Sequence, residues 1–591
     1  MRFVFLIALL AVPCSAAEKA EKPVVAIYDI EEMVTESGQL EASMFDLGMD
    51  AARPLTLFDI TRSLDKAAGD PNVKAVVLDV DGAELDFAQI QEIRRRLLAV
   101  REAGKDVWMY TEALSNGTAL LGSAANHFTL MPEADCSFHG IHAESMYFKG
   151  LLDKAGVRAE VIHIGDFKSF GETFYRSGPS DEAKQQEEKL VDDIYRQLTA
   201  DVATGRGIEA AKVKTIIDDG SLDAMDMSTN GMADHLLHRT DFVKKLRETY
   251  GKDADYDRSY ELPDLEGPEI DGMMDVFKLM FSKDSSAKAK RDYVAVVALE
   301  GDISDESVAP VRAQILKLAK DEKAKALVLR VNSPGGSALA SEVLWEAADE
   351  WKATKKPFVV SMGGVAASGG YYVSAGADRI FAEAGTITGS IGVVGMKFVV
   401  GEAMDKLGIT THSIQRGKNA GAMSMTRSFT PEEAELVRKS MERVYGTFKK
   451  RVADGRGKAL KGDLEALAGG RVYSGKQALD IGLVDEIGGL REAIAHAAAK
   501  ASLDDPDTKL LPEPKSGIEG LFTKPDKDEE MIRAKGLRSD GSRNLMNLLR
   551  TTGVAGALPA PARAAISRLV SRIDAFRDSR VLLLGPDLRL R

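Results

Sequence analysis

Cysteine is nearly absent from this sequence, with only Cys14 and Cys136 among 591 residues. Two cysteines cannot build a thiolate metal cluster, and no internal disulfide remains possible if the N-terminus is removed. Histidine is scarce as well, at eight residues. His139 and His142 form a close pair, but two histidines without a third ligand are usually structural. The sequence therefore predicts no metal site and no cofactor.

Positive charge is also in deficit, because 78 lysines and arginines face 91 acidic residues and give a formal net charge of −13. This balance argues against nucleic acid or phosphate-rich partners. The chain has neither a GxxxxGK[ST] phosphate-binding pattern nor a basic patch with interleaved aromatic residues. Nucleotide-binding and nucleic-acid-binding functions are excluded on these grounds.

The apolar run at the N-terminus, Phe3 to Val12, is shorter than the ~20 residues that a membrane-spanning helix needs. One arginine precedes it, and small residues follow it before the first acidic residue. This is the layout of a secretory signal, with cleavage expected near Ala16 or Ala17. We expect residues 1–17 to be a signal peptide, with a short uncleaved anchor as the alternative.

The rest of the chain is a repeat. KAVVLDVDG, which begins at Lys74, matches KALVLRVNSPGG, which begins at Lys325, at an offset of 251 positions. SAANHF matches SAGADRIF and NGMAD matches IGLVD at offsets within one position of this value. A constant offset over so long a stretch indicates two copies of one domain. The predicted regions are a first copy at 22–250, a linker at 251–290, a second copy at 291–500 and a C-terminal extension at 501–591.

Each copy alternates short β-branched runs, such as Val76 to Val80 and Leu327 to Val331, with segments of helical periodicity. This alternation predicts an α/β fold with a largely parallel sheet. In the extension, Ile566 to Phe576 has an apolar helical face with arginines off it. Such a helix either lies on a membrane or packs against its own domain.

The two copies differ at residues that carry chemistry. Ser368 lies in MGGVAASGGYYVSAGADRI, and its counterpart in the first copy is Asn116, which has no hydroxyl. Gly335 and Gly336 have no glycine counterparts in the first copy. Conversely, Lys168 aligns with Ala420, although a slip of two positions would pair it with a lysine. Each copy therefore keeps what the other has lost.

This complementarity suggests acyl transfer by a serine and a lysine. A serine hydroxyl needs a neighbouring base at neutral pH, and no histidine lies within forty residues of Ser368. Lys168 can be that base only when burial or a second cation lowers its pKa. Phe167 and Phe170 favour burial, whereas Asp166 would oppose the shift if it pointed inward. A Ser/His/Asp arrangement that uses the distant His412 is a weaker alternative.

A tetrahedral intermediate also needs N–H donors aimed at its oxyanion. We expect Gly335, Gly336 and the amide of Gly369 to supply them, a simple tight turn being the alternative for the glycine pair. Ser390, in GTITGSIGVVG, is expected either to touch the substrate, to orient the lysine or to hydrogen-bond the backbone near a turn.

VNSPGGS, GGVAASGGYYVSAGADRI, GTITGSIGVVG and GDFKSFGETF resemble the motifs of the S49 serine peptidases, in the long two-copy form of the signal peptide peptidase A family. The resemblance covers about 25 to 500. It implies a crotonase-like (Clp-protease-like) fold in both copies, with Ser368 as nucleophile and Lys168 as general base. It also implies a ring-shaped homo-oligomer, for which a two-copy chain suggests a tetramer.

The same resemblance implies a role and a place. The role is to degrade cleaved signal peptides at the periplasmic face of the inner membrane, or in the periplasm if the N-terminal segment is removed. Broader proteolysis in the cell envelope is one alternative, and a peptide-binding scaffold without chemistry is another. Whether the serine and the lysine of one site come from one protomer or two stays open at this stage.

Overall fold

The computed structural model describes residues 22–31, 33–38, 54–220, 223–264, 291–513 and 582–584. The predicted signal peptide at 1–17 and the amphipathic stretch from Ile566 to Phe576 lie outside these residues. Within the ranges described, none of the helices combines the length and the hydropathy needed to cross a bilayer.

The first copy is built on a parallel sheet of six strands, in the spatial order β6, β4, β3, β2, β1, β7. The buried residues of its inner strands are mostly apolar, as expected for a parallel sheet that helices cover. The strands of this copy are β1 (Val24–Asp29), β2 (Val73–Asp79), β3 (Asp106–Leu114), β4 (His127–Cys136), β5 (Arg158–Ile164), β6 (His235–Leu236) and β7 (Asp255–Asp257).

Several helices of the first copy, including the first two, start at capping side chains that accept hydrogen bonds from first-turn amides. The Thr56 hydroxyl accepts a hydrogen bond from the Asp59 amide, and Asp86 forms a capping box with Gln89. These helices are α1 (Leu57–Gly69), α2 (Phe87–Glu102), α3 (Asn116–Gly122), α4 (Lys149–Ala155), α5 (Glu172–Tyr175), α6 (Asp181–Arg206), α7 (Ala210–Asp219), α8 (Ala224–Thr229) and α9 (Arg239–Tyr250).

The second copy repeats this plan with a sheet of eight strands. The main order is β15, β13, β11, β9, β8, β17, and β12 and β16 extend the sheet from β11. All of its pairings are parallel except that of β13 with β15. The strands are β8 (Tyr293–Glu300), β9 (Ala324–Ser333), β10 (Gly335–Ser337), β11 (Phe358–Ala367), β12 (Arg379–Ala382), β13 (Ile387–Gly389), β14 (Val393–Val399), β15 (Val472–Ser474), β16 (Glu486–Ile487) and β17 (Asp507–Leu511).

The helices of the second copy are α10 (Asp305–Ala319), α11 (Ala338–Ala353), α12 (Gly369–Ser374), α13 (Gly401–Lys406), α14 (Pro431–Arg456), α15 (Leu464–Leu467), α16 (Gly475–Ile481) and α17 (Leu490–Lys500). The short helix α12 is buried throughout and begins directly after Ser368.

Two strands lie beyond the domain boundaries that the sequence suggested. β7 lies in the predicted linker but pairs with β1, and β17 lies in the predicted C-terminal extension but pairs with β8. Each adds an equivalent edge strand to its own sheet. The sheets of the two copies therefore extend at least to Asp257 and Leu511. The sequence did not indicate these two strands, because runs of three to five residues with weak periodicity carry little signal.

A third sheet joins the two copies. In it, β5 of the first copy pairs antiparallel with β14 of the second over seven residue pairs, from Val393 opposite Ile164 to Val399 opposite Arg158. The last described strand, β18 (Leu582–Leu584), lies between β14 and β10 in the same sheet. This sheet brings the C-terminal end of β5, and the lysine loop that follows it, to the second copy.

A buried ionic cluster holds the copies together at their interface. The Arg330 guanidinium of β9 contacts Glu36 at 3.0 Å and Glu92 of α2 at 3.1 Å, and all three side chains are at most 1% exposed. Burial raises the pKa of Glu92 to about 7, against the opposing effect of Arg330. Because one cation faces two carboxylates, a partly protonated Glu92 limits the negative charge left in the interior.

Candidate active site

Ser368 occupies a strained turn between β11 and α12. Its backbone has φ 55° and ψ −109°, a left-handed conformation that is uncommon for residues other than glycine. Its amide donates to the Gly389 carbonyl at 2.8 Å, which fixes the turn against β13. The hydroxyl is thereby presented at the start of a buried helix, as in other strand-to-helix turns that carry a nucleophile.

Close backbone packing around Ser368 explains the glycines beside it. A Cβ at Gly369 would lie 3.1 Å from the Gly335 Cα, and one at Gly370 would lie 2.7 Å from the Ser333 carbonyl oxygen. A Cβ at Gly336 would overlap the Ile303 carbonyl oxygen at 2.1 Å. The backbone of the Gly335–Gly336 pair therefore lies against that of Gly369, and side chains at these positions would prevent so close an approach.

Lys168 comes from the first copy and follows β5. Its loop is held by the second copy, since the Phe167 amide donates to the Gly469 carbonyl at 2.9 Å. Gly470 packs so tightly on this loop that a Cβ there would lie 2.4 Å from the Lys168 nitrogen. The Lys168 side chain is 2% exposed. Lys168 thus reaches the second copy from the first, and contacts with Gly469 and Gly470 fix the backbone of its loop.

The structure places the predicted serine and lysine in direct contact. The Lys168 Nζ lies 2.7 Å from the Ser368 Oγ. The same amine donates to the carbonyl oxygen of Ser390 at 2.9 Å and to its hydroxyl at 3.0 Å. All of these groups belong to one chain, so the serine and the lysine meet within a single protomer.

Burial sets the protonation of the amine. Desolvation lowers the pKa of Lys168 well below its usual value of 10.5, because a charged ammonium loses its hydration when it is buried. The acidic neighbours in sequence do not counter this shift. Asp166 is exposed, and the Glu172 carboxylate accepts from the Ser180 amide at 2.8 Å. The arrangement can therefore hold a neutral amine beside the hydroxyl.

The three expected oxyanion donors differ in what their amides do. Gly335 and Gly336 have φ of 104° and 158°, and the Gly335 amide already donates to the Ser333 hydroxyl at 3.1 Å. The Gly369 amide opens α12, where first-turn N–H groups have no carbonyl partner within their own helix. The Gly335 amide is thus already engaged within its turn, and the donor role of Gly336 and Gly369 stays a prediction.

The first copy does not repeat the strained turn of Ser368, because Ser115 caps α3 with an extended backbone of φ −102° and ψ 178°. Asn116, which the sequence offset pairs with Ser368, is the first residue of α3, and its side-chain amide donates to the Gly140 carbonyl at 2.7 Å. In the second copy Lys418 and His412 are both exposed. Among the described residues no group of three or more His, Cys, Asp or Glu side chains could hold a metal ion.

Sequence reasoning missed the residues that hold the lysine loop. Besides Gly469 and Gly470, the Arg471 guanidinium lies 3.6 Å from the centre of the Phe167 ring, and its carbonyl accepts from the Ser390 amide at 2.5 Å. The only signal in the sequence was the glycine pair of AGGRVYSG. Nothing local to that motif reveals its partner three hundred residues earlier.

The duplicated α/β fold and the buried serine beside a lysine define the class as serine peptidase. The family described as peptidase family S49 matches residues 99–253 and 350–504. The chain is 31% identical over 461 residues to serine protease SPPA, chloroplastic, of Arabidopsis thaliana, covering 76% of this chain and 66% of that one. It is 31% identical over 485 residues to protease 4 of Salmonella typhi, covering 79% of this chain and 75% of that one.

A shorter relative, the putative signal peptide peptidase SppA of Enterococcus faecium, is 35% identical over 192 residues, covering 32% of this chain and 56% of that one. The chain belongs to peptidase family S49, which confirms the resemblance seen in its motifs. It is therefore a serine peptidase, and the alternative of a scaffold without chemistry no longer applies.

Proposed function

We propose that this chain is an endopeptidase that degrades cleaved signal peptides with Ser368 as nucleophile and Lys168 as general base. The observation that carries this proposal is the 2.7 Å contact between the buried Lys168 Nζ and the Ser368 Oγ. A separation of this size is within reach for direct proton transfer.

The hydrogen bonds of Lys168 suit a base. A neutral amine has two N–H donors and one lone pair. When the two donors bind the carbonyl and hydroxyl oxygens of Ser390, the lone pair is left to accept the Ser368 proton. Ser390 thereby orients the amine and later stabilises the ammonium that forms, since hydrogen bonds from a cation are stronger than neutral ones.

The reaction then has two balanced halves. The Ser368 proton passes to Lys168 as Oγ bonds to the carbonyl carbon, and the oxyanion accepts from the Gly336 and Gly369 amides. The C–N bond breaks as the ammonium returns its proton to the leaving amine. Water next attacks the acyl-enzyme and gives a proton to Lys168, and that proton goes to Oγ as the ester C–O bond breaks.

The choice of substrate rests on family membership and on relatives. One relative carries the name signal peptide peptidase, and remnant signal peptides are apolar and able to take an extended form. We expect a small apolar pocket for the side chain before the cut. Broader proteolysis in the cell envelope remains the competing specificity.

Location and assembly belong to the same proposal. We place the enzyme at the periplasmic side of the inner membrane, or in the periplasm after removal of residues 1–17. We expect a ring-shaped homotetramer. Large apolar side chains in and around the helices beside β5 and β14 support assembly, since Leu151, Leu407 and Ile414 are 61%, 76% and 78% exposed.

The test compares Ser368→Ala and Lys168→Ala with the parent enzyme on a fluorogenic peptide. We expect each variant to lose at least about 10³-fold in kcat/KM while its circular dichroism is unchanged. Near-normal turnover by either variant would refute the dyad. Cleavage of a synthetic signal peptide and of an unrelated unfolded peptide with the same leucine content then tests specificity, and equal rates would favour the broader protease.

A further inference from the structure

A cavity of about 410 Å³ lies beside the lysine loop, at the interface between the two copies. Its volume is within the range of roughly 300 to 1,000 Å³ that proteins use to bind small ligands. One wall is α6 of the first copy, and the opposite wall is formed by β15 and α16 of the second copy. A molecule bound there contacts both copies at once.

The cavity is separate from the catalytic groups. It is lined by Val472 and Tyr473 of β15, the strand at the edge of the second copy's sheet. β13 lies between this strand and the nucleophile, since Gly389 pairs with Val472 and its carbonyl accepts from the Ser368 amide. Neither Ser368 nor Lys168 is a lining residue. A ligand in the cavity therefore does not touch the reacting atoms.

The charged residues of the cavity favour an anion. Arg471 and Lys189 both line it, and among the described residues no carboxylate forms an ion pair with either of them. The acidic lining residue Asp480 is neutralised, because its carboxylate accepts from Lys476 at 2.9 Å. The cavity thus presents two cations without acidic partners in a chain whose formal net charge is −13.

The uncharged residues of the cavity define the rest of the ligand. The apolar part of the lining consists of Phe167, Val472, Tyr473 and Ile481. An arginine binds a carboxylate through two parallel hydrogen bonds in the plane of its guanidinium. A molecule that joins one carboxylate to a short apolar body therefore fits this lining. Peptide-bond cleavage produces such molecules, since each cut leaves a new C-terminal carboxylate on a released fragment.

The cavity is coupled to the serine and lysine through the backbone. Its lining residue Phe167 directly precedes Lys168. The Arg471 guanidinium lies over the Phe167 ring at 3.6 Å from its centre, and the Arg471 carbonyl accepts from the Ser390 amide at 2.5 Å. A carboxylate bound in the plane of the guanidinium leaves its face on the ring. Such a ligand therefore holds both side chains, and with them the lysine loop.

We propose that this cavity is an accessory binding site for small apolar carboxylates, and that its occupancy raises kcat by fixing the loop that carries Lys168. The effect on turnover rests on the proposed function, because it takes Lys168 to be the base; binding itself does not. Two sources supply this chemistry, the carboxyl terminus of a released peptide fragment and a free fatty acid.

Calorimetry on the full-length Ser368→Ala variant tests binding without turnover. N-acetylleucine is the peptide-like probe, octanoate is the fatty-acid probe, and N-acetylleucinamide is the uncharged match of the first. We expect a dissociation constant of about 1 mM for the better acid, as for other ligands of this size. The amide should bind at least about tenfold more weakly, because it loses the charge-assisted hydrogen bonds. Tighter binding of N-acetylleucine indicates peptide fragments, and tighter binding of octanoate indicates fatty acids.

Two lysines of α6 locate the binding. In the same Ser368→Ala background, Lys189→Ala should weaken binding of the better acid about tenfold, and Lys189→Arg should restore it. Lys184→Ala is the matched control, because Lys184 is an exposed lysine of the same helix that pairs with Glu188 at 3.9 Å and does not line the cavity. It should bind the acid as tightly as the background does. Equal affinities in Lys189→Ala and Lys184→Ala, or for acid and amide, would overturn the site.

Steady-state hydrolysis of a fluorogenic peptide by the active enzyme tests the coupling. With the better acid at saturation we expect kcat to rise about two- to fivefold with KM unchanged, since the gain is limited by the fraction of time for which the loop is already in place. The rise should occur in Lys184→Ala and be lost in Lys189→Ala. An unchanged or lowered kcat, or a raised KM alone, would overturn the coupling. Activity in Ser368→Ala would instead overturn the proposed function and leave the calorimetric result intact.

Discussion

Ser390 offers the sharpest single-atom test of how the lysine is held. Its hydroxyl accepts from the Lys168 Nζ at 3.0 Å, and its carbonyl accepts from the same amine at 2.9 Å. Ser390→Ala removes the first acceptor and keeps the second. The change adds no atom, and it leaves the left-handed backbone, with φ 52°, no worse for alanine than for serine.

The expected cost follows from the transition state, in which Lys168 is an ammonium. A hydrogen bond to a charged group contributes about 1.5 to 3 kcal/mol, and each 1.36 kcal/mol is tenfold in rate. Ser390→Ala should therefore lower kcat/KM by about 10- to 150-fold. Loss of an acceptor also disfavours the protonated amine, so the pKa of Lys168 should fall further and the acid limb of the pH–rate profile should move to lower pH.

The assay is hydrolysis of a fluorogenic peptide across a range of pH. Ser374→Ala is the matched control, because the Ser374 hydroxyl is equally buried but donates to the Gly370 carbonyl and does not touch Lys168. The control should keep the parental profile. If Ser390→Ala stayed within twofold of the parent with the same acid limb, the reasoning about lysine orientation would be wrong.

Two further predictions concern the interface that delivers the lysine. Arg330→Met should destabilise the fold by about 3 to 5 kcal/mol in urea unfolding, because it leaves two buried carboxylates without a cation. Glu92→Gln should cost much less, since the pKa of Glu92 is already raised to about 7. Because burial of this carboxyl makes the parent less stable as pH rises from 4.5 to 7, the free energy of unfolding of Glu92→Gln should fall less over the same range. A loss below 1 kcal/mol in Arg330→Met would contradict this view of the cluster. Gly470→Ala should lower kcat about 100-fold with little change in KM, because its Cβ would displace the Lys168 backbone, whereas Gly446→Ala, with nothing within 4 Å of its Cβ, should leave kcat intact; equal kcat values in the two variants would count against the clamp.

The repeat is what made the site predictable from sequence. Two copies at a constant offset allowed each residue to be compared with its own counterpart, so that Ser368 against Asn116 and Lys168 against Ala420 stood out. The alternation of strand and helix was enough for the α/β fold. These features persist in sequence because they depend on periodicity and on residue identity at matched positions.

The remainder depends on contacts that sequence does not encode locally. The clamp of Gly470 on the lysine loop and the Ser390 carbonyl bond arise only when β5 and β14 pair across the copies. The sequence around Arg330 is that of an ordinary strand, and only the structure shows that Glu36 and Glu92 of the first copy contact its guanidinium. The strand Leu582–Leu584 is three residues long, and its partners set its place.

The most direct test of the central claim is the rate at which a fluorophosphonate phosphonylates the Ser368 hydroxyl, with loss of fluoride, as a function of pH, in the parent and in Lys168→Ala. If Lys168 is a neutral base, the parental rate should rise with pH through the pKa of Lys168 and level off well below the usual value of 10.5, and the variant should be slow with no such rise. A parental rise centred near 10.5, or the same profile in both proteins, would contradict the account.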